Sequence, residues 1–220
     1  MISPYDLVVF DWEGTLADTL GAVFHTVAFE ANLLGFGEFD VNDARNYVDL
    51  GLVRALQKLY PHLSLNEHEQ LLQAVQHSMQ TQTVDVCLIP GALELIHQLH
   101  DAGVNMAIAT NKGHQSLARA LHVSKLDQFI KVTRSAGQVP AKPCTQMLEE
   151  IIDEFNGSAA TTVMIGDSIA DMEMAINFQV TAVGMDFYHQ QESALKAAGA
   201  LEVFDDYQQV AEFLNLTRAE

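Results

Sequence analysis

Positive charge is scarce in this 220-residue chain, which has 11 lysine and arginine residues against 29 aspartates and glutamates. The formal net charge is −18, and a field of that sign repels both nucleic acids and anionic membrane surfaces. We therefore expect no nucleic acid and no membrane among the partners. A phosphorylated ligand would also be repelled at long range, so a phosphate site would need a local positive spot: a cation, a lysine or helix N-termini.

Cysteines and long apolar runs are scarce as well. The two cysteines, Cys87 and Cys144, lie far apart and show no pairing pattern, which is typical of a reduced, cytoplasmic protein. The first residues lead directly into a short apolar run, without a basic segment or a stretch long enough to cross a membrane. We expect a cytoplasmic protein without a signal peptide. The sequence leaves a monomer and a homodimer equally open.

Several familiar catalytic patterns are missing from the chain. The nine histidines show no ligand spacing such as His-Glu-x-x-His, which argues against a zinc site. There is no Gly-x-x-x-x-Gly-Lys-Ser/Thr loop and no Gly-x-Ser-x-Gly elbow. These absences argue against a nucleoside triphosphatase and against an α/β-hydrolase.

Short apolar runs alternate with amphipathic segments over most of the chain. The runs that predict strands cover residues 7–10, 104–109, 162–165, 180–183 and, more weakly, 129–132. Helical patterns cover residues 92–102, 114–121, 145–155 and 171–178. This alternation predicts right-handed βαβ units, and hence an α/β fold with a Rossmann-like, doubly wound parallel sheet.

One long stretch interrupts the alternation. Residues 16–86 show helical periodicity and turn signals but no convincing strand. We interpret this stretch as a small helical domain inserted after the first strand. The α/β core would then comprise residues 1–15 and 87–220.

Polar residues stand where the predicted strands end. Asp11, Thr110 and Asp167 follow three of the apolar runs, and Lys142 lies in a loop region between the second and third of these runs. Ligands of open α/β sheets bind at the carboxyl ends of the strands, so these side chains are candidates for one site.

This set of residues suits phosphate chemistry. A carboxylate such as Asp11 can attack phosphorus and divide one hard displacement into two easier ones. Asp11 and Asp167 can hold a hard cation such as Mg²⁺ through oxygen ligands, and Asp171 could orient its water ligands. A hydroxyl and a lysine can hold the phosphate oxygens, while Gly14 allows a sharp turn after the strand.

The sequence is similar to the haloacid dehalogenase superfamily, and within it to the phosphoglycolate-phosphatase-like branch. The resemblance depends on four motifs in a fixed order. They are Phe-Asp-Trp-Glu-Gly-Thr-Leu-Ala-Asp-Thr at 10–19, Ala-Thr-Asn-Lys at 109–112, Lys-Pro at 142–143 and Ile-Gly-Asp-Ser-Ile-Ala-Asp at 165–171. One motif alone would be weak, but the ordered set spans most of the chain.

The resemblance implies a magnesium-dependent phosphatase acting on a small phosphorylated metabolite, with phosphoglycolate as the default. Asp11 would be the nucleophile, and Thr110 and Lys142 would bind the phosphate. Mg²⁺ would be held by Asp11, the main-chain carbonyl of Glu13 and Asp167, with support from Asp171. The helical insert would be the family's cap. Further candidates for substrate binding are Gly14, Thr15, Asn111, Lys112 and Arg45.

Glu13 departs from the family pattern. Phosphatases of this family have an aspartate two residues after the nucleophile, which acts as general acid and then as general base. Glu13 keeps the carboxylate but places it one methylene further out. Because general acid–base catalysis contributes about a hundred- to ten-thousandfold, we expect a slower or re-tuned phosphatase and not an inactive one.

Two alternatives stay open on the sequence alone. A phosphonoacetaldehyde hydrolase-like enzyme also carries Asp-Trp before Gly-Thr and lacks the second aspartate, but it needs a Schiff-base lysine. Lys58 is the only lysine of the helical insert, and its spacing fits that family poorly. The other alternative is a catalytically weakened member that binds a phosphometabolite or a protein, for which Glu13 is the one favourable feature.

Overall fold

A computed structural model describes residues 3–39, 44, 47, 51–81 and 86–216 of the chain. The chain divides into two compact units. Met1–Asp18 and Leu88–Glu220 form one of them, which we call the α/β unit. Thr19–Cys87 forms the other, which we call the helical unit.

The α/β unit is built on a six-stranded sheet in which every neighbouring pair is parallel. Its strand order is β3-β2-β1-β4-β5-β6. The strands are β1 (Leu7–Phe10), β2 (Asn105–Gly113), β3 (Val132–Ala136), β4 (Thr162–Gly166), β5 (Thr181–Met185) and β6 (Glu202–Phe204). The prediction of an α/β fold with a doubly wound parallel sheet is confirmed.

Helices connect successive strands of this sheet. A parallel connection requires a crossover, and the amphipathic segments between the apolar runs supply it. The helices of the α/β unit are α4 (Ala92–Asp101), α5 (His114–Ser124), α6 (Gln146–Glu154), α7 (Ile169–Asn177), α8 (Glu192–Ala197) and α9 (Tyr207–Phe213).

The centre of the sheet forms the core of this unit. All four residues of β1 are at most 1% exposed, so the strand is buried on both faces. A strand buried on both faces is a continuous apolar run, which is why the sequence predicted β1 with its observed bounds. Leu7 and Val9 pack in one cluster with apolar residues of α6 and α7, including Ile151 and Met172. The end of β1 is thereby held firmly, and with it the residues that follow.

The strands at the edges of the sheet differ from the predictions. The prediction of a strand over residues 129–132 is wrong except for its last residue, because β3 covers Val132–Ala136. Phe129 instead packs against the imidazole rings of His97 and His100, with ring centroids 5.0 and 5.2 Å apart. β3 is an edge strand containing Arg134, so it lacks the apolar run that marks a central strand.

Two further strand details were outside the prediction. β2 continues three residues beyond Thr110, through an irregularity in its register with β3 between Thr110 and Gly113. β6 has only three residues, none of them buried, and the sequence analysis did not find it. Short exposed edge strands carry little hydrophobic signal.

The helical unit contains three described helices, α1 (Thr19–Leu33), α2 (Leu52–Leu59) and α3 (Leu65–Thr81). Its buried residues form a cluster of their own, consisting of Val27, Ala31, Leu56, Tyr60, Leu71 and Val75. Val27 and Ala31 of α1, and Leu71 and Val75 of α3, stand four positions apart, which places each pair on one face of its helix. Tyr60 directly follows α2, four positions after Leu56. Among the helices that the structure describes, none is both long and apolar enough to span a membrane.

Candidate active site

Asp11 lies directly after the central strand, at the carboxyl edge of the sheet. Its backbone N–H donates to the Ile165 carbonyl of β4 at 2.9 Å, which continues the parallel pairing by one residue. The side chain is buried, and Oδ1 lies 2.7 Å from Lys142 Nζ. That contact is an ion pair without good hydrogen-bond angles, so no donor among the described residues is properly aligned with Oδ1.

Lys142 is the cation of the site. Its ammonium lies 2.6 Å from Asp171 Oδ1 and donates to the Ala109 carbonyl at 3.1 Å. The backbone N–H of Lys142 donates to Asn111 Oδ1 at 2.8 Å, which attaches this loop to the end of β2. Burial lowers the pKa of Lys142, but the neighbouring carboxylates of Asp11 and Asp171 outweigh it, so the pKa lies above its ordinary value. The lysine therefore stays charged in a buried position.

Asp171 has two sets of contacts, one within its own helix start and one with Lys142. It is the third residue of α7 and forms a capping box with Ser168, whose Oγ donates to Asp171 Oδ2 at 2.6 Å. Its other carboxylate oxygen binds Lys142. A Cβ at Gly166 would overlap the Asp171 carboxylate, so the glycine allows β4 to approach that side chain closely.

Three carboxylates meet between these strand ends. Single oxygen atoms of Asp11, Asp167 and Asp171 all lie within 4.8 Å of one another. Burial, followed by the charge of Asp171, raises the pKa of Asp11 to about 6, although Lys142 opposes the shift. Burial, followed by the charges of Asp11 and Asp171, raises the pKa of Asp167 to about 7. The cluster therefore has more negative charge than Lys142 alone balances.

The donor set fits a hard divalent cation. All three side chains offer carboxylate oxygens, which Mg²⁺ prefers. The buried Oδ1 of Asp11 lacks an aligned donor, and a bound cation would satisfy it. A cation would also offset the repulsion that raises the pKa values of Asp11 and Asp167.

The turn after β1 lies against this cluster. Gly14 has a φ of +74°, and its N–H donates to the Ala17 carbonyl at 3.0 Å. A Cβ at Gly14 would overlap the Asp167 carboxylate. Thr15 is fully buried, and its Oγ1 lies a long 3.5 Å from Asp167 Oδ1. The chain therefore approaches Asp167 more closely than any residue with a side chain would allow.

Glu13 lies apart from the three clustered carboxylates. Its side chain is 46% exposed, and Oε1 forms an ion pair of 2.8 Å with Lys112 Nζ. Lys112 is the second residue after Thr110, and its backbone N–H donates to Thr110 Oγ1 at 3.2 Å. The pair therefore links the turn after β1 to the end of β2.

The structure thus brings most of the candidate residues to one edge of the sheet. The acidic cluster, Lys142, Asn111, Gly14 and Thr15 are in direct contact, while Thr110 connects to them through Lys112 and Glu13. Arg45 lies outside the described residues. Ser168 was missed, although a serine three residues before an aspartate is a helix-start signal.

The comparisons with known proteins agree with this fold. The sequence profile of the haloacid dehalogenase-like hydrolase family matches residues 8–185. The chain therefore belongs to the haloacid dehalogenase-like hydrolase family, as the four motifs predicted, and it is an enzyme of the hydrolase class.

Individual relatives share only about a quarter or less of their residues with this chain. A phosphoglycolate phosphatase of Psychrobacter arcticus is 23% identical and aligns over 94% of this chain and 95% of its own length. The pyrophosphatase PpaX of Listeria innocua is 24% identical over 81% of this chain and 82% of its own. A family hydrolase of Deinococcus radiodurans, crystallised with bound phosphate and sodium, superimposes with a TM-score of 0.71 and 21% identity, covering 99% of this chain and 100% of its own. That likeness shows the fold alone.

The close approach at Gly14 yields a first prediction. Replacing Gly14 by alanine adds a Cβ that collides with Asp167 at a positive φ, so both the turn and the acidic cluster must shift. We expect a loss of about 2–4 kcal/mol in the free energy of unfolding, measured by urea denaturation. Gly103→Ala is the matched control, since Gly103 has a φ of +73° with no atom within 4 Å of its added Cβ. Equal losses in both variants would contradict the collision.

Proposed function

We propose that this protein is a magnesium-dependent phosphomonoester hydrolase that acts through an aspartyl-phosphate on Asp11. The main support is the cluster of Asp11, Asp167 and Asp171 at the carboxyl edge of the sheet, in which the buried ammonium group of Lys142 pairs with Asp11 and Asp171. A strongly acidic protein needs such a local arrangement to accept a phosphate dianion at all.

Asp11 performs the first half of the reaction. Its carboxylate oxygen attacks phosphorus, the bond from phosphorus to the ester oxygen breaks, and the alcohol leaves. Lys142, which already holds Asp11, together with the Thr110 hydroxyl and backbone N–H groups of the turn at Gly14 and Thr15, would hold the equatorial phosphate oxygens. Burial at the end of a rigid strand fixes the direction of the attack.

Glu13 supplies and removes the protons. In the first half it gives a proton to the departing ester oxygen, and in the second it takes a proton from the water that attacks the aspartyl-phosphate. Its carboxylate must leave Lys112 to do so, which a half-exposed side chain can do without opening the core. The extra methylene of glutamate gives it the reach to swing between the two positions.

Asp11, Asp167 and the main-chain carbonyl of Glu13 would hold Mg²⁺, with Asp171 in support. The ion would supply positive charge that offsets the negative charge of the nucleophile and of the phosphate. Asp171 is fixed by Ser168 and Lys142, so it contributes a rigid negative charge at the edge of this site.

The substrate is a small phosphorylated metabolite. Curated relatives with similar identity are named phosphoglycolate phosphatase and pyrophosphatase, so phosphoglycolate is the first member of the class to test. In this proposal residues 16–86 are the family's cap domain, residues 1–15 and 87–220 are its core domain, and Lys112 and Arg45 are candidates for binding the distal end of the substrate. The low cysteine content is consistent with work in the cytoplasm.

The decisive experiment measures phosphate release from a panel of phosphorylated metabolites, with and without Mg²⁺. We expect magnesium-dependent turnover in the wild type and a loss of at least about a thousandfold in Asp11→Asn, because the amide cannot form the acyl-phosphate. Asp153→Asn removes an exposed carboxylate of α6 and is the matched control. Full activity of Asp11→Asn, or none in the folded wild type, would refute the proposal.

A second prediction concerns Glu13. Glu13→Gln keeps the size of the side chain but removes the exchangeable proton, so we expect kcat/KM, which does not include the later hydrolysis of the aspartyl-phosphate, to fall about a hundredfold or more on an alkyl phosphate. The loss should be smaller on p-nitrophenyl phosphate, whose leaving group departs without protonation. Glu173→Gln, which changes an exposed glutamate of α7, should leave both rates unchanged. Equal losses on both substrates would exclude Glu13 as the general acid.

The raised pKa of Asp167 predicts how stability depends on pH without metal. Its pKa is about 7 in the folded protein and about 4 in the unfolded chain, so the folded state binds the proton more tightly. This stabilisation is complete below pH 4 and is lost as the pH rises through 7. As the pH is raised through the pKa of about 7, the melting temperature of wild type should therefore fall more steeply than that of Asp167→Asn.

Magnesium should act in the opposite direction, because it binds the deprotonated carboxylate. We expect the Mg²⁺-induced rise in melting temperature to grow as the pH increases through about 7 and to be much reduced in Asp167→Asn. Scanning fluorimetry measures both effects, with Asp153→Asn as the control for loss of one negative charge. Parallel pH curves for Asp167→Asn and wild type would contradict the prediction.

A further inference from the structure

Tyr207, near the C-terminal end of the chain, contacts the turn that follows β1 at Gly14 and Thr15. It begins helix α9, and its side chain is 3% exposed. Its hydroxyl donates a hydrogen bond to the main-chain carbonyl of Thr15, a contact between residues 192 positions apart. Thr15 belongs to the turn that lies against Asp167, so this bond ends at the site itself.

The tyrosine ring is held from two sides. Its centroid lies 5.4 Å from that of Phe187, in a tilted arrangement. On another side the backbone of Gly91 comes so close that an added Cβ would lie 3.1 Å from Tyr207 Cβ. A ring packed in this way has little freedom, so it fixes the position of its hydroxyl.

The hydroxyl is also kept as a donor. Burial first, and then the negative charges of Asp167 and Asp11, raise the pKa of Tyr207 well above its ordinary value. The phenol therefore keeps its proton at neutral pH and donates it to the Thr15 carbonyl.

We propose that Tyr207 is a positioning residue of the active site: its hydroxyl fixes the Gly14–Thr15 segment against Asp167 and thereby sets the geometry of the turn that follows the nucleophile. Tyr207 lies outside residues 8–185, the part of the chain that the family profile matches. The inference rests on the proposed function for its kinetic effect, but its structural effect can be measured without any turnover.

Trp12 offers a direct optical report of this turn. It is the only tryptophan of the chain and is 2% exposed. Its carbonyl accepts hydrogen bonds from the N–H groups of Leu16 and Ala17, the two residues after Thr15, at 3.0 and 2.8 Å. Loosening Thr15 should therefore expose Trp12 to a small quencher.

The test compares Tyr207→Phe with Tyr5→Phe. Tyr5 stacks on Phe213, at the other end of α9, with ring centroids 5.8 Å apart, so both variants delete one hydroxyl from a ring packed near the same helix. We expect Tyr207→Phe to lower kcat for p-nitrophenyl phosphate about tenfold with KM changed less than about twofold. Acrylamide quenching of Trp12 should increase in Tyr207→Phe and stay at the wild-type value in Tyr5→Phe.

Phe187→Leu provides a second variant that leaves the hydroxyl in place. It loosens the ring support, so it should shift kcat and Trp12 quenching in the same direction by a smaller amount. Unchanged kcat in Tyr207→Phe, or a loss that only follows the unfolded fraction at the assay temperature, would overturn the proposal. Unchanged Trp12 quenching would overturn it as well. An inactive wild type would refute the proposed function alone, because the quenching comparison needs no turnover.

Discussion

The ammonium of Lys142 between Asp11 and Asp171 is the contact on which the site depends. Its nitrogen lies 2.7 and 2.6 Å from the two carboxylates, and all three side chains are buried. A buried carboxylate without a partner would be driven to its neutral form, and a neutral Asp11 could not attack phosphorus. Burial, followed by repulsion among the three carboxylates, raises the pKa values of Asp11 and Asp167, and the single lysine only partly opposes these shifts.

The fold supplies this contact from four separate parts of the chain. The central strand holds Asp11, the end of β2 holds the loop of Lys142 through Asn111, and the first turn of α7 holds Asp171. Parallel strands place all these ends at the same edge of the sheet. The Asp171 carboxylate has two functions here, since one oxygen takes part in the capping box of α7 and the other binds Lys142. A structural and an electrostatic role are therefore compatible in one residue.

The sequence predicted those strands and site residues that have a recognisable local pattern, and it missed those that do not. β1 and Asp11 were found because a strand buried on both faces is a continuous apolar run that ends in a polar residue. β3 was misplaced because an edge strand with an arginine that pairs with Glu150 carries no such run. Tyr207 was not found for a different reason. Its partner is a main-chain carbonyl, and every residue has one, so no residue type near Thr15 indicates that a tyrosine hydroxyl binds there.

Glu13 shows how the arrangement separates two kinds of carboxylate. Carboxylate oxygens of the three aspartates lie within 4.8 Å of one another, and Asp11 and Asp171 pair with Lys142, whereas Glu13 is half exposed and pairs with Lys112. An acid–base group must change both its protonation and its contacts during a reaction cycle, which a buried and fully bonded carboxylate does at a large cost. In the proposed mechanism, a glutamate at this position keeps the acid–base carboxylate at the exposed rim of the site, where it pairs with Lys112 and not with the clustered aspartates. Its change of contacts during turnover would then leave the buried pairs of Lys142 intact.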